Sequence, residues 1–226
     1  PRYLELLVSH CEQSGEKIPP CLRLIFISGD FIPLTLPKRI RDACQNEDLR
    51  IISMGGATEA AIWSNIYEIG ASLDGAWSSI PYGQAMMNQR MYILDGAMQQ
   101  CPVWKTGVIY IGGAGVALGY HNDPAKTAYQ FVKHPLSGEY LFRTGDLGRV
   151  RPTTVGSAPL LLEILGREDS QVKVNGFRVE LGEIESIIGR VNGVREVVVV
   201  ACGSSSQALQ LVAYVLPSSS DKAEIS

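Results

Sequence analysis

A chain of 226 residues is long enough for one large domain or one and a half smaller ones, and a hydrophobic content of 46% excludes wholesale disorder. The net charge of −3, without any run of basic residues, argues against nucleic acid or an anionic membrane surface as the main partner. No apolar stretch approaches the roughly 18 residues that span a bilayer, and the first residues lead straight into a helical pattern without a signal peptide, so we expect a cytoplasmic protein.

The first part of the chain has the pattern of an α/β domain. Apolar residues at helical spacing predict a helix over residues 3–13, and a second helix is expected near Leu36 to Cys44. Two short apolar runs, Leu22 to Ile27 and Leu49 to Met54, predict buried strands that end in turns. Strand, helix and strand in this order indicate a parallel sheet.

From Trp63 to Arg151 the pattern changes to short strands separated by Gly- and Pro-rich turns, which indicates a more open, largely antiparallel region. One helix is expected here, from Pro124 to Val132, because Asp123 is a suitable N-cap and proline stands in the first turn. The predicted strands are Met91–Leu94, Val108–Ile111 and Tyr140–Arg143.

A third pattern begins near Asp169. Asn175-Gly176 between two apolar runs predicts a tight hairpin. A helix is expected from Leu181 to Val191, followed by the strands Val197–Ala201 and Leu209–Leu216. The pattern is that of a small α+β module, and we expect it to be incomplete, since a Ser-rich polar end follows without the elements that would close its sheet.

Cysteine and histidine usage indicates neither a zinc site nor a disulfide framework. The cysteines are odd in number, scattered and never in CxxC spacing, so we expect reduced structural thiols at Cys11, Cys21, Cys44, Cys101 and Cys202. The three histidines are isolated from other ligands and nucleophiles, and we assign them no chemistry.

Three segments carry residues suited to nucleotide chemistry, and each also has an ordinary structural explanation. In Gly55 to Glu59, glycines let a backbone approach phosphate, a threonine can bond a phosphoryl oxygen and a carboxylate can hold Mg²⁺; the alternative is a Gly-rich turn with a capping threonine. In Phe142 to Arg149, Asp146 in a tight turn could chelate a ribose diol or bond its own backbone. The segment Leu165 to Glu180 could be a charged surface hairpin.

Taken in this order, the three segments resemble the adenylate-forming superfamily, and closely the adenylation domains of nonribosomal peptide synthetases. Gly56 to Glu59 looks like that family's Gly-Pro-Thr-Glu segment, and Thr106 to Tyr120 looks like its Gly-rich strand segment. Its Arg-Thr-Gly-Asp block is present at Arg143 to Asp146, and its Gly-Arg-x-Asp-x-Gln-Val-Lys block at Gly166 to Lys173. The resemblance runs from about residue 1 to residue 217.

The resemblance implies an α/β fold in two parts. Residues 1–168 would be the C-terminal part of a large α/β plus β-barrel-like core subdomain, and residues 169–226 a truncated small α+β subdomain that is mobile. The family's phosphate-gripping loop would then lie before residue 1 and its catalytic lysine after residue 226, so we expect this chain alone to adenylate poorly. The Ser-rich end could mark a domain insertion, a cloning boundary or a proteolytic nick.

The resemblance also implies roles for individual residues. Thr58 would contact the phosphates, and Glu59 would bind Mg²⁺. Asp146 would hold the ribose hydroxyls of ATP with help from Arg167. Asp169 would be the hinge on which the small subdomain rotates between adenylation and thioester formation, since a few residues at a junction can absorb the whole dihedral change.

Gly55 and Gly56 would line the nucleotide site. The family usually carries a tyrosine that stacks on adenine where Gly55 stands, and its loss weakens the expected adenine contact. The heterocycle-forming branch of the family resembles this chain in carrying Gly-Gly-Ala-Thr-Glu.

The family's substrate pocket maps by motif onto Phe26, Ser28, Met54, Ile62 and Trp63. Tryptophan, isoleucine and methionine leave a small, apolar, polarizable cavity that favours a thiol, and the serine hydroxyl adds one polar contact. The set resembles the cysteine-selecting pattern of domains paired with heterocyclisation; serine or threonine comes next, then another small apolar amino acid, because one methylene or hydroxyl discriminates by only about 1–3 kcal/mol. The alternative for Trp63 is a plain core residue.

The resemblance also implies chemistry and partners. In this family the substrate carboxylate attacks the α-phosphorus of ATP, pyrophosphate leaves, and the aminoacyl adenylate passes to the phosphopantetheine thiol of a peptidyl carrier protein. Further implied partners are a condensation or heterocyclisation domain and, if the Ser-rich end is an insertion point, an oxidase or methyltransferase domain. Two alternatives remain: an acyl- or aryl-CoA ligase of the same superfamily, or a non-catalytic binding or docking fragment.

Overall fold

The computed structural model describes residues 1–71, 77, 79–153, 160–168, 171–174, 177–203 and 209–218. The chain divides into two compact units, Tyr3–Glu168 and Asp169–Ser226. The expected hinge residue Asp169 and the predicted Asn175-Gly176 turn lie outside the described residues. Within the described part of the chain, no helix is long and apolar enough to cross a membrane.

The first unit starts with a mixed four-stranded sheet and two helices. Their bounds are α1 Arg2–Ser14, β1 Leu24–Ile27, α2 Leu36–Ala43, β2 Arg50–Gly55, β3 Asn65–Glu68 and β4 Gln84–Ala85, with the sheet order β1-β2-β3-β4. β1 and β2 are parallel, as the strand–helix–strand pattern predicts, whereas β3 joins β2 antiparallel. Val8 and Ile40 of the helices and Ile51 of β2 are fully buried in one core cluster. β2 ends at Gly55, so the chain leaves this sheet where the first motif begins.

The rest of the first unit is an antiparallel five-stranded sheet with one helix. The bounds are β5 Gln89–Leu94, β6 Gly107–Gly113, α3 Pro124–Gln130, β7 Phe131–Lys133, β8 Tyr140–Pro152 and β9 Leu160–Arg167. The strand β8 is central, because it pairs with β6, β7 and β9. Ile109 and Ile111 of β6 and Leu141 and Phe142 of β8 are fully buried, which places the core on these two strands.

The second unit is a small α+β arrangement, as predicted. It contains β10 Gln171–Val174, β11 Phe177–Glu180, α4 Leu181–Ile188, β12 Val194–Cys202 and β13 Gln210–Pro217. β10 pairs antiparallel with β11, and β12 with β13. The carboxylate of Glu185 accepts a hydrogen bond of 2.8 Å from the backbone N–H of Val199, which attaches α4 to β12.

Several boundaries differ from the sequence predictions. The helix expected over Pro124 to Val132 ends at Gln130, because Phe131 enters strand β7 and buries its ring; Asp123 caps this helix as predicted. The helix expected to reach Val191 ends at Ile188. The strands β3, β4, β7 and β9 were not predicted, and three of them are only two to four residues long.

Two predicted environments were wrong. Strand β1 is not buried, since Phe26 is 55% exposed. Asp146 does not lie in a tight turn: it belongs to the continuous 13-residue strand β8, in which Gly145 takes a left-handed φ of 76° and the pairing with β9 shifts register between Leu147 and Gly148.

Candidate active site

The segment after β2 forms a compact turn built on two glycines and a short 3-10 helix, Thr58–Ala60. Gly56 has a φ of 147°, and a side chain there would meet the Ile62 carbonyl oxygen at 2.5 Å, so only glycine fits. The turn is closed by a hydrogen bond of 2.7 Å from Ser64 N–H to the Gly55 carbonyl. Thr58 is exposed at the start of the short helix, whereas Glu59 is buried. An exposed threonine and a buried carboxylate are therefore neighbours in this turn.

Tyr120 holds the Glu59 carboxylate. Its hydroxyl donates a 2.5 Å hydrogen bond to Glu59 Oε1 and also contacts Gln130 Oε1, and the backbone N–H of Ala117 donates to the Glu59 carbonyl at 2.9 Å. The Tyr120 ring packs edge-on against Phe131 at 5.5 Å between centroids. The Gly-rich segment after β6 thus wraps Glu59 and fixes the direction of its side chain.

Asp146 and Arg167 form a direct pair across β8 and β9. The two residues are opposite each other in the strand register, and Arg167 Nη1 donates to Asp146 Oδ1 at 2.6 Å. Arg167 Nη2 also donates to the Thr144 carbonyl at 3.1 Å, and each side chain of the pair is only 15% exposed. The guanidinium therefore holds the carboxylate in one orientation at the surface of the sheet.

Tyr82 lies between the glycine turn and the sheet that carries Asp146. Burial and the nearby charge of Asp146 raise the pKa of the Tyr82 hydroxyl far above its usual value, while a hydrogen bond with the Gly56 backbone acts in the opposite direction. The hydroxyl consequently stays neutral. The Tyr82 ring lies against Gly55 and packs with Ile93 and Ile109, so it joins the glycine turn to the sheet whose strand β8 carries Asp146.

The residues mapped to the substrate pocket lie around the ends of β1 and β2. Trp63 Nε1 donates to the Ser28 hydroxyl oxygen at 3.2 Å, which joins two of them directly. Trp63 is 43% exposed, so it is not the plain core residue of the alternative interpretation. Phe26 and Ile62 are also exposed, whereas Met54 is buried at the end of β2.

The turn that carries Ile62 and Trp63 has an unusual backbone. Ala61 and Ile62 both take left-handed conformations, with φ of 58° and 69°. A β-branched residue rarely adopts positive φ, and such strain is concentrated at functional sites in proteins. The Ile62 N–H donates to the Ala57 carbonyl at 2.9 Å, so the turn's own hydrogen bonds stabilise this conformation.

Sequence reasoning missed Tyr82 and Tyr120. Tyr82 follows a proline between two short strands, where no motif points to it. Tyr120 closes the Gly-rich segment that resembles the family, but its contact with Glu59 joins positions 61 residues apart. Only the fold brings either tyrosine to the site.

The residues present fit Mg²⁺ and a nucleotide. Mg²⁺ takes hard oxygen ligands and is commonly held by one or two carboxylates together with substrate phosphates, and Glu59 supplies a buried, oriented carboxylate beside the turn. A ribose presents a vicinal diol, for which the oriented carboxylate of Asp146 is a suitable acceptor. The space that a side chain would take at Gly55 is filled by the Tyr82 ring, and at Gly56 by the Ile62 carbonyl and Ser64, so both glycines are required by the packing of the turn itself.

Comparison with known proteins identifies the family. The family model described as AMP-binding enzyme matches residues 1–121. The anguibactin system regulator of Vibrio anguillarum is 40% identical over 209 residues, which are 92% of this chain and 19% of that protein. Pyochelin synthetase PchF of Pseudomonas aeruginosa is 43% identical over 184 residues, or 81% of this chain and 10% of that protein. The chain thus spans less than a fifth of the length of either relative.

Solved structures of similar chains indicate the same family. The nonribosomal peptide synthetase FmoA3 in its α-methyl-L-serine-AMP-bound form is 42% identical with a TM-score of 0.66, covering 80% of this chain and 19% of that one. The Vibrio cholerae adenylation domain AlmE in complex with glycyl-adenosine-5′-phosphate is 29% identical with a TM-score of 0.75, covering 93% of this chain and 39% of that one. The chain belongs to the AMP-binding enzyme family and is of the adenylation-domain type found in nonribosomal peptide synthetases.

Proposed function

We propose that this chain forms part of a site that activates an amino acid with ATP as the aminoacyl adenylate and passes it to the phosphopantetheine thiol of a carrier protein. The observation that carries the proposal is Tyr82, whose ring lies against Gly55 of the glycine turn and packs with the core of the sheet that carries Asp146. One nucleotide can span these two groups, with its phosphates near the turn and its ribose near the carboxylate.

The proposed roles of the residues come from the family resemblance and are compatible with the geometry. Asp146 accepts hydrogen bonds from the ribose hydroxyls, and Arg167 keeps its carboxylate in place. Thr58 contacts the phosphates from the exposed start of the short helix, and Glu59 holds Mg²⁺. Mg²⁺ supplies neutralisation of phosphate charge, which is the main requirement of phosphoryl-type transfer. The substrate carboxylate oxygen forms a bond to the α-phosphorus, and pyrophosphate leaves with the electron pair of the broken bond.

The proposed substrate is a small amino acid, with cysteine preferred. The two similar structures described above hold adenylates of α-methyl-L-serine and glycine. In this chain Trp63 donates to the Ser28 oxygen, so the Ser28 proton can be donated to a heteroatom of the substrate side chain. The apolar side chains of Met54 and Ile62 favour sulfur over a more polar atom.

We propose a carrier protein as a partner, because the family transfers the aminoacyl group from the adenylate to a thiol. A neighbouring condensation or heterocyclisation domain is proposed as a second partner. Rotation about Asp169 between the two half-reactions is proposed for the same reason. The second unit contains its own helix and strand pairs, Gln171–Pro217, which is the kind of compact body that such a rotation needs.

Pyrophosphate exchange with the intact protein that contains this chain tests the proposal. We expect exchange that depends on ATP and Mg²⁺, with cysteine giving the highest kcat/KM, serine or threonine next, and fatty or aryl acids giving none. A preference for a large or charged amino acid would overturn the cysteine assignment. Exchange with aryl or fatty acids alone would overturn amino-acid activation, and absence of nucleotide binding by calorimetry would overturn the adenylation function itself.

A further inference from the structure

The main chain at Tyr82 joins the two sheets of the first unit. Its N–H donates to the Leu162 carbonyl of β9 at 2.8 Å, and its carbonyl accepts a hydrogen bond from the Asn65 side chain of β3. The Leu162 N–H returns a hydrogen bond of 3.0 Å to the carbonyl of Gly83. Because both flanking strands hold this backbone, the position of the Tyr82 side chain is fixed relative to each sheet.

The Tyr82 ring occupies the space beside Gly55. A Cβ added at Gly55 would lie 2.8 Å from Tyr82 Cζ and closer still to Cε2, and 2.9 Å from Asn65 Oδ1. Real Cβ atoms do not come this near to ring or amide atoms, so any larger residue at position 55 would displace the ring. Glycine at position 55 and tyrosine at position 82 therefore depend on each other.

The hydroxyl end of Tyr82 is influenced by the turn and by Asp146. The charge of Asp146 raises the pKa of the hydroxyl, whereas a hydrogen bond with the Gly56 backbone acts to lower it. The remainder of the ring packs with the hydrophobic cluster that includes Ile93 and Ile109. The Tyr82 ring thus lies between Gly55 and the core of the second sheet.

We infer that Tyr82 is a positioning residue, which sets the distance between the glycine turn of residues 55–59 and the sheet whose strand β8 carries Asp146, and so aligns the two ends of the ATP site. The inference rests on the proposed function, since it concerns how that site holds its nucleotide. Groups that bind one ligand at two points lose affinity when their spacing is no longer fixed. Tyr82 acts on ATP through the position of the glycine turn, and it acts on neither the substrate pocket nor the carrier protein.

The test is Tyr82→Phe in the intact protein, because this variant keeps the ring and removes only the hydroxyl. We expect the KM for ATP to rise about two- to tenfold, the range of one lost hydrogen bond, and the KM for the amino acid to stay within about twofold. Calorimetric affinity for a non-hydrolysable ATP analogue should fall by the same factor. The matched control is Tyr92→Phe, whose hydroxyl donates to Glu139 at 2.7 Å in a different cluster and should leave both KM values unchanged.

A second variant tests the dependence of position 55 on position 82. Gly55→Ala in the wild-type background should weaken ATP binding more than Tyr82→Phe does, because the ring must move. In a Tyr82→Leu background the same Gly55→Ala change should weaken ATP binding less, which makes the two effects non-additive.

Additive effects, or an unchanged KM for ATP in Tyr82→Phe, would overturn the positioning role. Normal exchange by the wild-type protein would in that case leave the proposed function standing. Equal rises in the KM for ATP and for the amino acid, matched by a lower melting temperature, would show a purely structural role and overturn it as well.

Discussion

The hydroxyl of Tyr120 donates a 2.5 Å hydrogen bond to Glu59 Oε1. Glu59 is buried, and a buried carboxylate is stable only when hydrogen bonds or a cation compensate for its lost hydration. In metal sites, groups that orient a ligand contribute to affinity although they do not touch the ion. Tyr120 has this relation to the proposed Mg²⁺ ligand.

We therefore predict that Tyr120→Phe raises the Mg²⁺ concentration needed for half-maximal nucleotide binding by about tenfold, the lower end of the range for such orienting groups. Mg²⁺ titrations followed by calorimetry with an ATP analogue measure this effect. Tyr140→Phe is the control, since Tyr140 packs in the same cluster but donates to the Leu118 carbonyl at 3.0 Å instead. The same Mg²⁺ requirement in both variants would rule out the orienting role of Tyr120.

Asp146→Asn tests the ribose contact. The amide keeps the shape of the side chain but loses the charge that Arg167 and a ribose diol would share, and hydrogen bonds to charged groups contribute about 1.5–3 kcal/mol. We expect ATP affinity to fall roughly 10- to 100-fold, with the KM for the amino acid little changed. Glu68→Gln removes a charge from an exposed pair with Arg50 and should bind ATP normally. Wild-type affinity in Asp146→Asn would contradict the assignment.

Ser28→Ala tests the substrate pocket. The change removes the oxygen that Trp63 Nε1 contacts at 3.2 Å and the proton available to the substrate. We predict that the ratio of kcat/KM for the substrate cysteine to kcat/KM for the substrate alanine falls about fivefold or more, because one polar contact discriminates by roughly 1–3 kcal/mol. The KM for ATP should be unchanged. Ser14→Ala, at the exposed end of α1, is the control. An equal loss for every amino acid would indicate a general packing effect rather than selectivity.

A buried ion cluster on β8 and β9 predicts a stability effect separate from catalysis. Glu163 is 2% exposed and accepts from Arg149 at 2.7 Å and from Arg151 at 3.0 Å. The Arg151 guanidinium lies 4.1 Å from the centre of the Trp77 ring. Removing one partner leaves buried charge uncompensated, so Glu163→Gln should cost about 3 kcal/mol of unfolding free energy.

Thermal unfolding of the intact protein measures this cost. A loss of that size corresponds to a melting temperature lower by about 6–12 °C for the transition of this domain. Glu68→Gln, at an exposed pair, should change the same transition by no more than about 1 kcal/mol. Equal shifts in the two variants would mean that burial of the cluster contributes nothing to stability.

Much of the fold could be predicted from local patterns. Apolar spacing placed α1 and α2, and the strand–helix–strand order predicted the parallel pairing of β1 with β2. These features depend on which side chains repeat at the period of a helix or strand, and that information is local. The short strands β4 and β7 escaped prediction because two or three residues establish no period.

The candidate site shows a similar division. The sequence by itself determined the family resemblance and nominated Glu59, Asp146 and Arg167, because the identity and order of residues in a motif survive without coordinates. Only the tertiary structure decided that Asp146 lies in a strand opposite Arg167, that Tyr82 packs against Gly55 and that Tyr120 bonds Glu59. Their contacts join residues of separate strands and loops, and such pairings are set by how the two sheets pack rather than by any nearby sequence.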